Sequence, residues 1–129
     1  MILALGAILG FIAVAFGAFA EHGLRGSVSE ERFRFLMTAV RYNQVHAVVI
    51  VALGLALLNN ARLAMIGAFK WSGVLFLIGT VLFSFSIYLS VWLGIPALLN
   101  ATPVGGVTIM AAWLTLAFAG VTAVRQLHD

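Results

Sequence analysis

Arg41-Tyr42-Asn43-Gln44-Val45-His46, followed by Ala47 to Leu58 without one charged residue, is the stretch on which the reading of this chain turns. The apolar part alone is too short to cross a bilayer, which takes roughly 20 residues at about 1.5 Å each. Counted from Arg41, the helix just reaches. Tyr42, Asn43, Gln44 and His46 must then lie inside the membrane near one face, where each polar group needs a partner. The expectation is an all-α integral membrane four-helix bundle with a polar cluster in one leaflet.

Composition supports that reading. Of 129 residues, 64% are hydrophobic and 9% charged, and the mean hydropathy is +1.15, outside the range of a soluble domain. The length accommodates one membrane domain, residues 1–129, of about four spans. The absence of cysteine excludes disulfides, thiolate metal sites and cysteine nucleophiles. The net charge of +3 and the pI near 10.2 come from basic residues flanking apolar runs, where such residues set orientation and touch lipid headgroups. Membrane lipids are therefore the expected partners, and nucleic acid is not.

Working outward, spans are predicted over about 2–20, 41–58, 71–93 and 103–124. Ala18-Phe19-Ala20 resembles a cleavage site, but no basic residue precedes the long first run, so the segment is expected to be retained. Gly6, Gly10, Ala13 and Gly17 fall on one face of that run, and small residues admit a second helix closely in lipid. Packing inside the chain's own bundle is the first reading of this face and a dimer contact the second. Gly23 reads as the left-handed residue closing the helix.

Ser29 is a plausible cap for a segment over 29–40, where Phe33, Leu36, Met37 and Val40 share a face. The expectation is a short amphipathic helix in the interface plane, running into the second span. Asn59-Asn60 breaks that span. Trp71 and Trp92 stand about 21 residues apart, the separation of the two aromatic belts. Pro96 interrupts the next stretch, and Thr102-Pro103 matches an N-cap followed by a first helical turn. In the last span Gly105, Gly106 and Gly120 read as close-contact points, with Trp113 near mid-depth. Counting Lys and Arg gives Arg62, Lys70 and Arg125 with the amino terminus on one side, and Arg25, Arg32, Arg34 and Arg41 on the other. Discounting arginines on a flat amphipathic segment places both termini in the cytoplasm.

Four alternating spans bring one set of polar residues to one leaflet whatever the orientation: His22, Arg41, Tyr42, Asn43, Gln44, His46, Ser84, Ser86, Tyr88 and Thr102. Tyr42 with His46, and Ser84 with Tyr88, are one turn apart. A functional site is allowed there, and nowhere else in the chain. The simpler reading makes His46 a core histidine bonded to a serine or a carbonyl, with Ser84 and Ser86 bonded to their own helix. Glu21 can pair with Arg25 or Arg41. His22 and His46 lack a third ligand or any known spacing for haem or metal, so no cofactor or metal is expected. Nucleophile-elbow, zinc-protease and phosphate-loop motifs are all missing from the sequence, which argues against an enzyme.

At these same residues the chain resembles a family of small bacterial inner-membrane proteins, the domain of unknown function 423, whose pattern a small human transmembrane protein shares. The resemblance rests on Gly17-Ala18-Phe19 with His22-Gly23-Leu24, and on Tyr42-x-x-x-His46-Ala47. Gly79-Thr80-x-Leu82-Phe83-Ser84-x-Ser86-x-Tyr88 and Thr102-Pro103-x-Gly105-Gly106, with Trp113 after it, complete the set. It implies four membrane helices in the bacterial inner membrane and no reaction. Two departures stand out. Ala20 and Glu21 replace a glycine and an alanine of the family pattern, and Phe85 replaces the glycine between the serines, which would crowd a pocket there. The function expected is interaction with lipid or a partner, either a second copy or another membrane protein. The alternative is a small oligomeric transporter or channel using His46 and Tyr88.

Overall fold

Each apolar run becomes a helix, because in lipid the backbone must satisfy its own N–H and C=O groups. The computed structural model describes the backbone of residues 1–128 and the side chains of residues 1–126. Its helices are α1 (Ile2–Phe19), α2 (Glu30–Asn59), α3 (Ala61–Met65), α4 (Gly67–Thr80), α5 (Ser86–Leu93) and α6 (Thr102–His128). A π-helical turn at Ala20–Leu24 extends α1, and a second at Val81–Phe85 joins α4 to α5. A 3-10 turn, Pro96–Ala101, leads into α6. Four segments, Ile2–Leu24, Glu30–Asn59, Gly67–Leu93 and Pro96–Gln126, are long and apolar enough to cross a membrane.

The helix ends follow from local chemistry. Ser29 is extended (φ −64°, ψ 155°), and its Oγ accepts from the Arg32 N–H at 3.3 Å. Asn60 leaves helical geometry at φ −134° and stops α2. Its Oδ1 then accepts from the N–H groups of Arg62 and Leu63, starting α3. The amphipathic segment over 29–40 is continuous with the second span: α2 is one unbroken helix of 30 residues. At about 45 Å it covers hydrocarbon and headgroup layers together, so its first turns reach the interface without a separate element. There Leu36, Ala39 and Val40 are buried against Ala20, Ile87, Tyr88 and Val91, while Arg32 and Arg34 stay exposed.

Two expected end signals read differently in the structure. Gly23 lies within the π turn and does not take positive φ; among the described residues only Gly94 does, at +69°, where it caps α5. Thr102 is already helical at φ −58° and ψ −46°, because the 3-10 turn runs straight into α6. Its hydroxyl is thereby free for a tertiary contact.

The bundle is two helical hairpins. In the first, α1 lies along α2 with backbones nearly touching: a Cβ on Gly54 would sit 2.6 Å from the Leu3 nitrogen, and one on Gly6 2.8 Å from Ile50 Cγ2. Gly10 and Gly17 face Ala47 and Val40, and Ala13 is fully buried, so the small-residue face of α1 is covered from within the chain. In the second hairpin, α4 and its π turn lie along α6. Gly79 is against Ile109, and a Cβ on Gly105 would meet the Phe83 nitrogen at 2.4 Å. Gly54 and Gly79 were not singled out by spacing. Of the glycines expected at contacts on α6, Gly106 makes only ordinary contact with Phe83 and Gly120 faces open space.

Candidate polar site between the hairpins

Three hydrogen bonds cross from α2, in the first hairpin, to the second. Ser84 sits in the wide π turn and donates across to the Ala39 carbonyl at 2.9 Å, where a helical serine commonly bonds its own preceding turn. The Asn43 amide donates to the Tyr88 hydroxyl at 3.3 Å, and both side chains are buried. The Tyr88 ring is held in turn by stacking on Phe16 of α1, with centroids 4.0 Å apart.

His46 makes the third crossing. Its Nδ1 is 2.7 Å from the Tyr42 carbonyl, and its Nε2 is 3.3 Å from Trp113 Nε1. An indole N–H only donates and a carbonyl only accepts. Nε2 therefore accepts and Nδ1 carries the hydrogen, which defines a neutral imidazole with both nitrogens engaged. Edge-to-face packing of Trp113 on Phe76, at 5.0 Å, holds the indole in place.

A fourth contact lies inside the second hairpin. Ser86 donates to the Phe83 carbonyl at 2.9 Å, so the 2.7 Å contact with Thr102 has the threonine as donor. Two buried polar atoms among the described residues have no partner in the protein, Asn43 Oδ1 and Thr80 Oγ1. Asn43 is four residues after Ala39 on α2, and Thr80 is four residues before Ser84 at the end of α4.

The residues expected in one cluster are thus divided. Asn43, His46, Ser84, Ser86, Tyr88 and Thr102 make the bonds above. His22, Arg41 and Gln44 are exposed and take no part in them. Glu21 pairs with Arg25 by helix spacing. Tyr42 is 40% exposed and stacks on Phe83 with centroids 4.5 Å apart. Phe85 packs beside Tyr88, with ring centroids 5.6 Å apart. Trp113 is the member that sequence reasoning passed over. The signal was its mid-span position, since a tryptophan away from the interfacial belts needs an acceptor for its N–H.

Beside this seam a crevice of about 520 Å³ lies between α2 and α6, lined by Arg41, Tyr42, His46, Phe83, Gly106, Met110 and Trp113 among others. Tyr42, Met110 and Trp113 are exposed, so it opens sideways towards lipid. Among the described residues no three His, Asp or Glu side chains come together to hold a metal ion.

Comparison with known proteins gives the same picture of location. Residues 16–106 match the model of a protein family of unknown function, DUF423. That stretch contains every bonded residue of the seam except Trp113. The UPF0382 membrane protein of Haemophilus influenzae is 32% identical over 116 residues, 90% of each chain. The UPF0382 inner membrane protein YgdD of Escherichia coli K12 is 35% identical over 120 residues, which is 93% of this chain and 88% of the relative. The UPF0382 membrane protein YwdK of Bacillus subtilis is 36% identical over 117 residues, or 91% of this chain and 93% of the relative. No solved structure matches. With four membrane-crossing helices and relatives that are membrane proteins throughout, the chain belongs to the DUF423 family and is a multi-pass inner-membrane protein.

Proposed function

We propose that the protein is a non-enzymatic membrane bundle that works by contact with lipid or with another membrane protein, a second copy included. In this reading its polar leaflet fastens the two hairpins and does not carry a proton or a substrate. The observation that carries it is His46, whose two ring nitrogens are both engaged, one on Tyr42 and one on Trp113. A relay or a catalytic base needs a nitrogen that can meet its proton donor, and a nucleophile needs an adjacent base. Ser84 donates to a backbone carbonyl, and Tyr88 accepts from Asn43 beneath a stacked ring.

The test is a proton and small-ion flux assay in proteoliposomes, with the native protein and His46→Leu compared at matched folding. The reading expects no protein-dependent flux from either. A native flux that vanishes in the variant would overturn it in favour of a transporter or channel built on His46 and Tyr88.

A further inference from the structure

The crevice between α2 and α6 has one charged group, Arg41, which forms no ion pair among the described residues. Among the described residues the single ion pair is Glu21–Arg25. Glu21 lines a neighbouring hollow with Arg41, so the nearby carboxylate is already engaged and the Arg41 guanidinium is left without a counter-charge. An unpaired guanidinium at the edge of the hydrocarbon is costly, and a phosphate is the anion that matches its fork of donors.

Below Arg41 the crevice changes character. Tyr42 and Phe83 stack along one wall, Met110 also lines the crevice, and Trp113 stands about as deep as His46, to which it is bonded. Gly106 lines the crevice without a side chain, and a Cβ there would meet Phe83 at 3.8 Å, an ordinary contact. A cation above an apolar, aromatic-walled groove open to the bilayer is complementary to a phosphate headgroup above a chain. We infer that this crevice binds one anionic phospholipid of the surrounding bilayer, its phosphate on Arg41 and an acyl chain laid past Gly106 to Trp113. The inference rests on the lipid-contact reading above and gives it a site and a lipid class.

The test uses the full chain with Trp71→Phe and Trp92→Phe, both exposed positions, so that Trp113 is the remaining tryptophan. The protein is placed in phosphatidylcholine vesicles containing a small fraction of chain-brominated phosphatidylglycerol, or the same fraction of brominated phosphatidylcholine, and quenching is measured. The site should concentrate the anionic lipid about fivefold, the worth of one arginine against an anionic surface, with correspondingly stronger quenching. Arg41→Gln should abolish the preference, and Arg41→Lys should restore part of it. Gly106→Leu, whose Cβ makes only ordinary contact with Phe83 and whose side chain narrows the crevice, should remove the Arg41-dependent quenching. Equal quenching by both lipids, or a preference unchanged in Arg41→Gln or in Gly106→Leu, would overturn the inference. The flux assay is independent of these outcomes: loss of lipid preference without flux rejects this site alone, and a His46-dependent flux rejects the fastening.

Discussion

Helices within a hairpin and helices between hairpins are held by different means. Along α1 and α2 the contact is glycine against backbone, as at Gly54 on Leu3, and the same holds where Gly105 of α6 meets Phe83. Between the hairpins the apolar packing, as of Leu36 and Val40 on Ile87 and Val91, is joined by directional contacts: Ser84 to Ala39, Asn43 to Tyr88, Trp113 to His46. In lipid there is no hydrophobic drive to press helices together, so close approach must come from dispersion, and small residues supply it. Dispersion along a smooth face tolerates sliding. A hydrogen bond does not, because a slipped partner leaves a polar atom alone in hydrocarbon. The glycine seams thus bring pairs of helices together, and the polar seam specifies how the pairs meet.

The comparison can be broken by substitutions on either side of it. The largest effect is expected at Gly105, where even Gly105→Ala places a methyl 2.4 Å from the Phe83 nitrogen and must push α6 away. We expect it to cost about 3 kcal/mol or more in detergent-denaturation assays, and Gly105→Leu to prevent folding. Next comes His46→Leu, which removes both ring bonds and strands the Trp113 N–H. A loss of about 1–3 kcal/mol should appear as a lower denaturation midpoint. Tyr88→Phe deletes one acceptor and should cost about 0.6 kcal/mol and at most about 1.7, the mean and the upper end for interhelical bonds in a bilayer, while the stacked ring stays on Phe16.

The smallest effect sharpens the contrast between glycines. Gly120 faces open space, so Gly120→Ala should be neutral or add up to about 1 kcal/mol through helix propensity. A destabilised Gly120→Ala would show that a partner covers that face, and would point to an oligomer.

The legible part of the molecule was what a short window encodes. Apolar length marked four spans, Ser29 marked a helix start, and Asn59-Asn60 a stop. The spacing of Gly6, Gly10, Ala13 and Gly17, by four, three and four, defined a packing face on α1. What one helix meets on another is not local. Gly54 stands alone in its span without a small-residue repeat, yet makes one of the closest approaches. The π turn at Val81–Phe85 has no spacing signature, and it puts Ser84 against α2 and Phe83 against Gly105 and Tyr42. Thr102 carried a cap signal, but the 3-10 turn before it made that cap unnecessary and its hydroxyl went to Ser86. His46 was read as bonded to a serine or a carbonyl; the carbonyl is that of Tyr42, and Trp113 supplies the second bond from a helix 67 residues away.

The most direct test of the account is a double-mutant cycle on His46 and Trp113, measured by reversible unfolding in mixed micelles. His46→Leu, Trp113→Phe and the double variant isolate the bond that joins the hairpins through α2 and α6. The account predicts a favourable coupling of about 0.6–1.7 kcal/mol. Strict additivity, with the double variant losing the sum of the two single losses to within about 0.3 kcal/mol, would contradict it.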